Sequence, residues 1–205
     1  MRLILAFSAV WFFLPGGFAE ASAPAESSQT QIKEETPEER ILSLGDQAFK
    51  IIRTTGIKPQ EVFSRFKELL DEYFAIPSIA TFVLGAYGEK FKENGQRTAF
   101  EEYLENLLVR SYSSKFSEYM KAKFAVSGSR RSGEQFHVSS TISIPNKKGI
   151  KIIWYLKNIG GKLMITDVKI ENMSMQKTQK ADIVSRIKAV GVEKFMQEFK
   201  EKYGC

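Results

Sequence analysis

Hydrophobic residues change their spacing near the middle of this 205-residue chain. Over residues 38–120 they recur every three or four positions, as at Ile41 and Leu44, which is the period of an amphipathic helix. Beyond residue 123 they alternate with polar residues, as at Phe136 and Val138, which is the period of a strand with one buried face. Helices followed by a meander of strands predict an α+β fold, in which the helices pack on one face of a four-stranded antiparallel sheet.

Glycine and proline mark the boundaries of the predicted elements. Thr36 and Glu39 have the spacing of a capping box, and Pro37 suits the first turn of a helix, so the first helix is expected to begin here. Helices are predicted over about 38–55, 59–73, 77–85, 96–120 and 180–203, the last with a break at Gly191. Strands are predicted over about 124–126, 136–144, 150–156 and 163–175.

The first 21 residues have the pattern of a secretory signal peptide. Arg2 supplies a positive charge, residues 3–14 form an apolar run too short to span a membrane, and Ala19 and Ala21 suit a cleavage site. Residues 22–37 are small and polar and include proline, which predicts a flexible linker. Residues 38–205 are long enough for a single domain with its own core. The sequence therefore predicts an exported protein.

The net charge of +6 limits the classes of partner. In a cytosolic protein it would suggest nucleic acid, but export argues against that partner. In an exported protein it suits anionic lipid headgroups, anionic membrane surfaces or acidic protein faces, with an ordinary solvated basic surface as an equal alternative. Cys205 is the single cysteine, so no internal disulfide can form, and nothing in the sequence requires more than a monomer.

The sequence shows no recognisable catalytic arrangement. His137 is the only histidine and has no evident partner for acid–base chemistry. The spacings of a metal cluster, a nucleophile elbow or a phosphate loop are missing. Asp167 and Glu171 lie four residues apart in a predicted strand, about 13 Å from one another, which is too far for a coupled carboxylate pair. They are expected at the surface or beside a polar headgroup, and we expect neither enzymatic activity nor a cofactor.

Three segments together resemble a known family. A small apolar helix ending in Val-Leu-Gly occupies residues 74–85, the pattern Gln-Arg-x-x-Phe opens the long helix at residues 96–100, and a segment with Asp-Val and Ser-Met spans residues 167–175. In this order and spacing they resemble the MlaC family, the toluene-tolerance family of periplasmic phospholipid-binding proteins. The resemblance extends over about residues 69–199.

This resemblance implies a curved NTF2-like sheet wrapped by helices, with a lipid cavity between them. It implies a periplasmic shuttle whose ligand is a phospholipid cargo, with the acyl chains inside and the headgroup near the surface. It also implies exchange with an inner-membrane ABC transporter complex and an outer-membrane lipoprotein complex.

The matching segments also supply the residues that we expect to contact lipid. They are apolar or aromatic and lie on the apolar helix, the long helix and the sheet: Ile79, Phe82, Val83, Phe100, Leu104, Leu107, Trp154, Val168, Ile170 and Met175. From composition alone, 16 Phe, 7 Tyr and 6 Met are more simply explained by an aromatic-rich core. The family resemblance favours a cavity.

Two other functional classes stay open at this point. One is a carrier of another amphiphile, as in the hopanoid-associated branch of the family, whose pocket would suit a rigid polycyclic molecule. The other is an exported interaction domain, whose aromatic residues would form an ordinary core without a cavity. An NTF2-like hydrolase or isomerase is a weaker third, because no buried acid–base pair is evident.

Overall fold

Helices form the first half of the described chain. The computed structural model describes residues 34–91, 95–113 and 116–204. The predicted signal peptide, most of the predicted linker and Cys205 lie outside these ranges. The helices of the first half are α1 (Pro37–Arg53), α2 (Pro59–Tyr73), α3 (Ile76–Leu84), α4 (Gln96–Ser113) and the short α5 (Phe116–Tyr119), with a 3₁₀ helix (Gly85–Phe91) between α3 and α4.

Helix α1 begins where the sequence predicts it. The Glu39 backbone N–H donates to Thr36 Oγ1 over 3.2 Å, and the Thr36 backbone N–H donates to Glu39 Oε2 over 2.9 Å. The predicted capping box is therefore confirmed, with Pro37 in the first turn. Because it satisfies N–H groups that the start of a helix leaves without partners, this motif fixes where α1 begins.

An antiparallel sheet and two further helices form the second half. Within the described residues the sheet has five strands, which pair in chain order: β1 (Lys123–Ser132), β2 (Gln135–Ser143), β3 (Ile150–Ile159), β4 (Lys162–Ile170) and the very short β5 (Met173–Ser174). Helices α6 (Met175–Val190) and α7 (Val192–Tyr203) follow, and the predicted break between them at Gly191 is confirmed. The α+β class is as predicted, whereas the NTF2-like character of the sheet stays a prediction.

The last part of the sheet differs from the four predicted strands. The sequence predicts one strand over 163–175, but β4 ends at Ile170, and Glu171 and Asn172 turn the chain with φ angles of 46° and 70°. After β5 the chain enters α6, five residues earlier than predicted. Met175 therefore lies at the start of a helix, not on the sheet as expected.

Asp167 explains this difference. Its Oδ2 accepts a hydrogen bond from Ser174 Oγ over 2.6 Å, and its Oδ1 accepts one from the Gln176 backbone N–H over 3.0 Å. Ser174 is the N-cap of α6, and its Oγ accepts from the Lys177 N–H over 3.1 Å. A carboxylate and a serine at this position favour the start of a helix, because they pair its free N–H groups and oppose the helix dipole. Asp167 thus has a structural role, and the surface or headgroup role expected for it stays a prediction.

The buried side chains form two groups. The helical cluster joins α3, α4, α6 and α7 around Phe100, whose ring lies 5.5 Å from that of Phe91 and 5.6 Å from that of Phe199. The sheet cluster joins α1 and α2 to the face of the sheet that carries Val138 and Ile152. The sheet cluster has the arrangement that the two hydrophobic periods predict, with helices on one sheet face.

Arg40 is a buried arginine that connects α1, α2 and β4, and its side chain is only 8% exposed. Its Nε donates to the Leu163 carbonyl over 3.1 Å, and its Nη1 donates to the Glu72 carboxylate over 3.0 Å. Its Nη2 donates to the Glu72 backbone carbonyl, and the guanidinium carbon lies 4.0 Å from the centre of the Tyr73 ring. One side chain therefore holds the start of α1 against the end of α2 and the start of β4.

Arg40→Met tests this role, because it keeps much of the side-chain volume and removes every donor. We expect the free energy of unfolding to fall by about 2–4 kcal/mol, since a buried carbonyl left without a donor costs about 1–3 kcal/mol. Chemical denaturation measures the change. Arg65→Met is the control, because the Arg65 side chain on α2 is 41% exposed and forms an ion pair with Glu61 one turn away. A loss in Arg40→Met no larger than that in Arg65→Met would contradict the assignment.

Glu72 makes part of this stability depend on pH. The hydrogen bond from Arg40 lowers the pKa of Glu72 below its ordinary value, against the opposing effect of partial burial. A carboxyl with a lowered pKa stabilises the fold above the pKa of the unfolded chain, and this contribution is lost as the pH falls through the folded pKa. The difference in unfolding free energy between the wild type and Glu72→Gln should be under about 1 kcal/mol at neutral pH, because the side chain is half exposed, and should shrink toward about pH 2. Denaturation of both proteins across this range measures it, and a difference independent of pH is the contrary result.

Candidate functional site

A cavity of about 270 Å³ lies between the helices and the sheet. Helices α1, α2, α4 and α5 form one side of it, and the sheet and the start of α6 form the other. Its wall consists of apolar and aromatic residues and one glycine: Leu44, Gly45, Ala48, Phe49, Ile52, Phe66, Leu69, Leu70, Phe74, Leu108, Val109, Tyr119, Phe124, Ile142, Ile150, Ile152, Trp154, Val168, Ile170 and Met175.

The wall of the cavity offers almost no polar chemistry. It contains no charged side chain, and its polar side-chain groups are the Tyr119 hydroxyl and the Trp154 indole N–H. The indole N–H is already used, because it donates to Ser140 Oγ over 2.8 Å. A space of this kind holds an apolar molecule through burial and shape, without directional bonds to orient it.

Two small residues on α1 help to shape the cavity. Gly45 and Ala48 stand between the larger residues Leu44 and Phe49 on the helix face that lines the space. A Cβ added at Gly45 would lie 2.4 Å from the ring of Phe124 on β1, so a larger residue here would require this ring to move. The Phe124 ring also lies 6.2 Å from that of Phe49, and these two aromatic rings form one corner of the wall.

The cavity lies where the two clusters meet. Leu44, Ile152 and Val168 in its wall belong to the sheet cluster, while Leu108 and Met175 belong to the helical cluster. Neither cluster fills the space at their boundary. The relative positions of the helical cluster and the sheet cluster therefore determine the cavity.

The wall of the cavity is partly half-buried. Leu69 and Val168 are buried, whereas other wall residues are half-buried, among them Phe66 and Phe74 on the helical side and Tyr119, Ile142 and Ile150 at one end of the sheet. The last two flank the loop between β2 and β3, and Ile142 pairs with both Ile150 and Phe124. We call four residues the mouth of the cavity: Ile52, near the end of α1, and Tyr119, Ile142 and Ile150.

The structure brings four of the predicted lipid-contact residues together in the cavity wall: Trp154, Val168, Ile170 and Met175. Their direct contact with lipid stays a prediction. Met175 reaches the wall from α6, since the turn held by Asp167 places it there.

The other six predicted residues lie elsewhere. Ile79, Val83, Phe100 and Leu104 are fully buried in the helical cluster, and Leu107 is half-buried against it. Phe82 is 38% exposed, and its ring lies 4.8 Å from Lys180 Nζ. The reason is that α3 packs mainly against α4 and α6, so its apolar surface is covered by helices and does not reach the cavity wall.

Sequence reasoning missed the contribution of α1 and of the sheet end. Leu44, Phe49 and Ile52 on α1 line the cavity, as do Phe124 and Ile142 on the strands. Periodicity indicated that most of these residues face inward. The additional signal in the sequence was Gly45 and Ala48 within that inward face, because small residues leave space between a helix and the sheet.

His137 lies on the sheet face opposite the cavity, since its neighbour Val138 faces the sheet cluster. Its ring centre lies 4.5 Å from that of Tyr155, and its Nδ1 is buried without a hydrogen-bond partner among the described residues. Burial lowers the pKa of His137, and the charges of Arg130 and Lys169 lower it further. This histidine is therefore not placed to act on a molecule in the cavity.

The described part of the chain shows neither a metal-binding cluster nor a membrane-spanning helix. Residues 34–91, 95–113 and 116–204 contain no group of three or more His, Cys, Asp or Glu side chains that could hold a metal ion. No helix in the same ranges is both long and apolar enough to cross a membrane.

Both the fold and the sequence of this chain are similar to those of known proteins. The fold is similar to that of the phospholipid-binding protein from Ralstonia solanacearum, whose structure was determined in complex with a phospholipid, with a TM-score of 0.71 and 15% sequence identity over 82% of this chain and 98% of that chain. No curated protein matches this chain. The sequence model of the MlaC protein family matches residues 43–201, which is most of the chain. The resemblance in the sequence is thus confirmed: the chain belongs to the MlaC protein family.

Proposed function

We propose that this protein binds phospholipid, with acyl chains in the cavity and the headgroup at the mouth. The observation that carries the proposal is the uncharged, apolar wall of the cavity. We assign the half-buried residues of the mouth as the side on which a polar end meets water. Such a space suits a molecule with a long apolar part and a polar end that stays in water. Membership of the MlaC protein family and the phospholipid bound to the Ralstonia solanacearum protein support it.

The volume of the cavity limits how much of a phospholipid it accommodates. Pockets for small molecules generally measure roughly 300–1,000 Å³, so a space of about 270 Å³ lies at the lower limit. Two complete acyl chains need the walls to separate further. Met175, with its flexible side chain, lies in the wall beside the aromatic residues Phe49 and Phe124, and changes of rotamer at these positions would enlarge the space.

We further propose that the protein is a periplasmic carrier and not an enzyme. Family and fold both point to binding or transport, and the cargo is its only ligand, without a cofactor. Residues 1–21 would direct export, and the partners would be an inner-membrane ABC transporter complex and an outer-membrane lipoprotein complex, each meeting a monomeric carrier.

The energetics of release support the need for partners. Two acyl chains carry on the order of 30 methylenes, and each costs about 0.8 kcal/mol to expose, so release into water costs on the order of 24 kcal/mol. Thermal motion does not supply this energy at a useful rate. Handover therefore requires a docked complex in which the chains pass from one apolar surface to another.

Ala48→Trp tests the location of the acyl chains. Ala48 is half-buried in the cavity wall on α1, so an indole at this position should occupy part of the space and lower the amount of bound phospholipid several-fold. The fold should persist, because the added volume enters a void and not a packed core. Native mass spectrometry of protein purified without detergent, with analysis of the extracted lipid, measures occupancy.

Leu42→Trp is the matched control, because Leu42 lies on the same helix and is 40% exposed. It should retain the phospholipid content of the wild type. Full occupancy in Ala48→Trp would contradict the placement of the chains. A wild-type protein that contains no lipid and takes none from vesicles would contradict the proposed function itself and favour the exported interaction domain.

Leu104→Ala separates stability from binding. Leu104 is fully buried in the helical cluster, so this substitution should lower the free energy of unfolding by about 2–5 kcal/mol. Because Leu104 does not line the cavity, phospholipid content should remain at the wild-type level at temperatures where the variant is folded. Denaturation and lipid extraction on the same preparation measure both quantities. Loss of lipid from the folded variant would restore Leu104 as a lipid-contact residue.

A further inference from the structure

Arg53 lies beside the mouth of the cavity. It is the last residue of α1, and two residues just before it on the helix, Phe49 and Ile52, belong to the cavity wall. Its guanidinium carbon lies 5.0 Å from the centre of the Phe49 ring, and the residue is exposed. The ring of Phe49 therefore separates the positive charge of Arg53 from the apolar cavity.

The guanidinium is held in place by neutral groups. Arg53 Nε donates to the Met120 carbonyl over 3.3 Å, and Nη2 donates to the Ala122 carbonyl over 2.7 Å. No carboxylate among the described residues forms an ion pair with Arg53, so its charge is not neutralised within the part of the chain that the structure describes. Of the five N–H donors of an arginine, these bonds use two.

A fixed guanidinium with free donors suits a phosphate group. Its planar arrangement of N–H groups matches two oxygens of a phosphate, and the resulting bonds are stronger than those between neutral groups. The two backbone carbonyls hold Nε and Nη2, which leaves Nη1 without a described partner. Because the side chain is already ordered, binding an anion costs less conformational entropy than it would at a free lysine.

The surroundings add to the positive charge. Lys50 lies one turn before Arg53 on α1, Lys121 lies in the turn that leads into β1, and Lys148 lies in the loop between β2 and β3. None of these three lysines forms an ion pair among the described residues. Of the carboxylates on these segments, Glu118 pairs with Lys147 over 2.9 Å. Glu171 accepts a hydrogen bond from the Lys151 backbone N–H over 2.7 Å and keeps its negative charge, so the lysines and Arg53 still outnumber it.

We propose that Arg53 binds the phosphate of the lipid headgroup and, with the lysines around it, makes the protein prefer phospholipids of net negative charge over zwitterionic ones. This inference rests on the proposed function and adds the headgroup class. An ammonium-bearing headgroup would bring a positive charge among uncompensated lysines, whereas a glycerol headgroup leaves the phosphate charge free to meet them. The alternative is that Arg53 only closes the end of α1 by binding two carbonyls.

Competitive uptake tests the preference. Full-length mature protein, freed of lipid, is incubated with vesicles containing equal amounts of phosphatidylglycerol and phosphatidylethanolamine, and the bound lipids are identified by mass spectrometry. The wild type should be enriched in phosphatidylglycerol. The phosphate is common to both lipids, so loss of the hydrogen bond alone does not change the ratio, whereas loss of the positive charge weakens the net anionic lipid more than the zwitterionic one. Arg53→Gln should therefore lower the enrichment by roughly fivefold, the effect expected for a unit charge close to the headgroup in water. Total lipid should change little, because the chains supply most of the binding energy.

Arg130→Gln is the matched control, since it removes the same charge near the far end of β1 and lies away from the mouth. It should leave the enrichment unchanged. Lys121→Gln covers the case in which Arg53→Gln does not fold, because the side chain of Lys121 has no described bond to lose, and it should lower the enrichment by a smaller factor. Addition of inorganic phosphate distinguishes a free anion from a headgroup: the enrichment should persist at millimolar phosphate.

The contrary results are distinct. A wild type that takes both lipids equally, or an Arg53→Gln variant with unchanged enrichment, overturns the inference and leaves phospholipid binding intact. An equal loss in Arg130→Gln assigns the preference to total charge and also overturns it. Loss of the enrichment in phosphate, with thermal stabilisation of the wild type by phosphate alone, makes this a site for the free anion. A wild type that takes neither lipid refutes the proposed function instead.

Discussion

The arrangement of the cavity depends on how α1 is held at its two ends. At the first turn, Arg40 donates to the Leu163 carbonyl and to both the carboxylate and the carbonyl of Glu72. At the last turn, Arg53 donates to the carbonyls of Met120 and Ala122. These bonds connect α1 to α2, to β4 and to the turn before β1 without filling the space beneath the middle of the helix. A void that packing alone would tend to close can therefore persist, because polar bonds at its margin set the separation of the walls.

Small residues in the middle of α1 leave the space of the cavity open. Gly45 allows the helix to approach β1 so closely that a Cβ would meet the Phe124 ring, and Ala48 follows on the same inward face. Large residues here would fill the interior and join the two clusters into one continuous core. The segment with Gly45 and Ala48 thus brings α1 near the sheet and also leaves an unfilled space. The hydrogen bonds of Arg40 and Arg53 offset the side-chain packing that this space lacks.

The sequence predicted the architecture more completely than the site, for physical reasons that particular residues illustrate. The change of period gave the α+β class, but Asp167 and Ser174 ended the last predicted strand early, because bonds between side chain and backbone there favour a helix start. Periodicity reports which face is buried, and cannot distinguish a side chain that faces a void from one that faces another side chain. Val83 and Ile152 are both buried residues of regular elements, yet only Ile152 lines the cavity, since the packing of α3 against α6 is a tertiary property.

The position of the cavity at the boundary of the two clusters also determines how binding and folding are related. Most of the helical cluster around Phe100 lies away from the cavity, with Leu108 and Met175 among its members in the wall, so the greater part of its contribution to stability does not depend on a bound molecule. The sheet cluster is incomplete on its cavity side, and a molecule that fills the space adds the dispersion contacts that its wall lacks. A ligand that binds only the folded state stabilises it in proportion to the logarithm of its concentration over the dissociation constant. The protein with a molecule in its cavity is then more stable than the empty protein, and removal of that molecule must overcome this difference in stability.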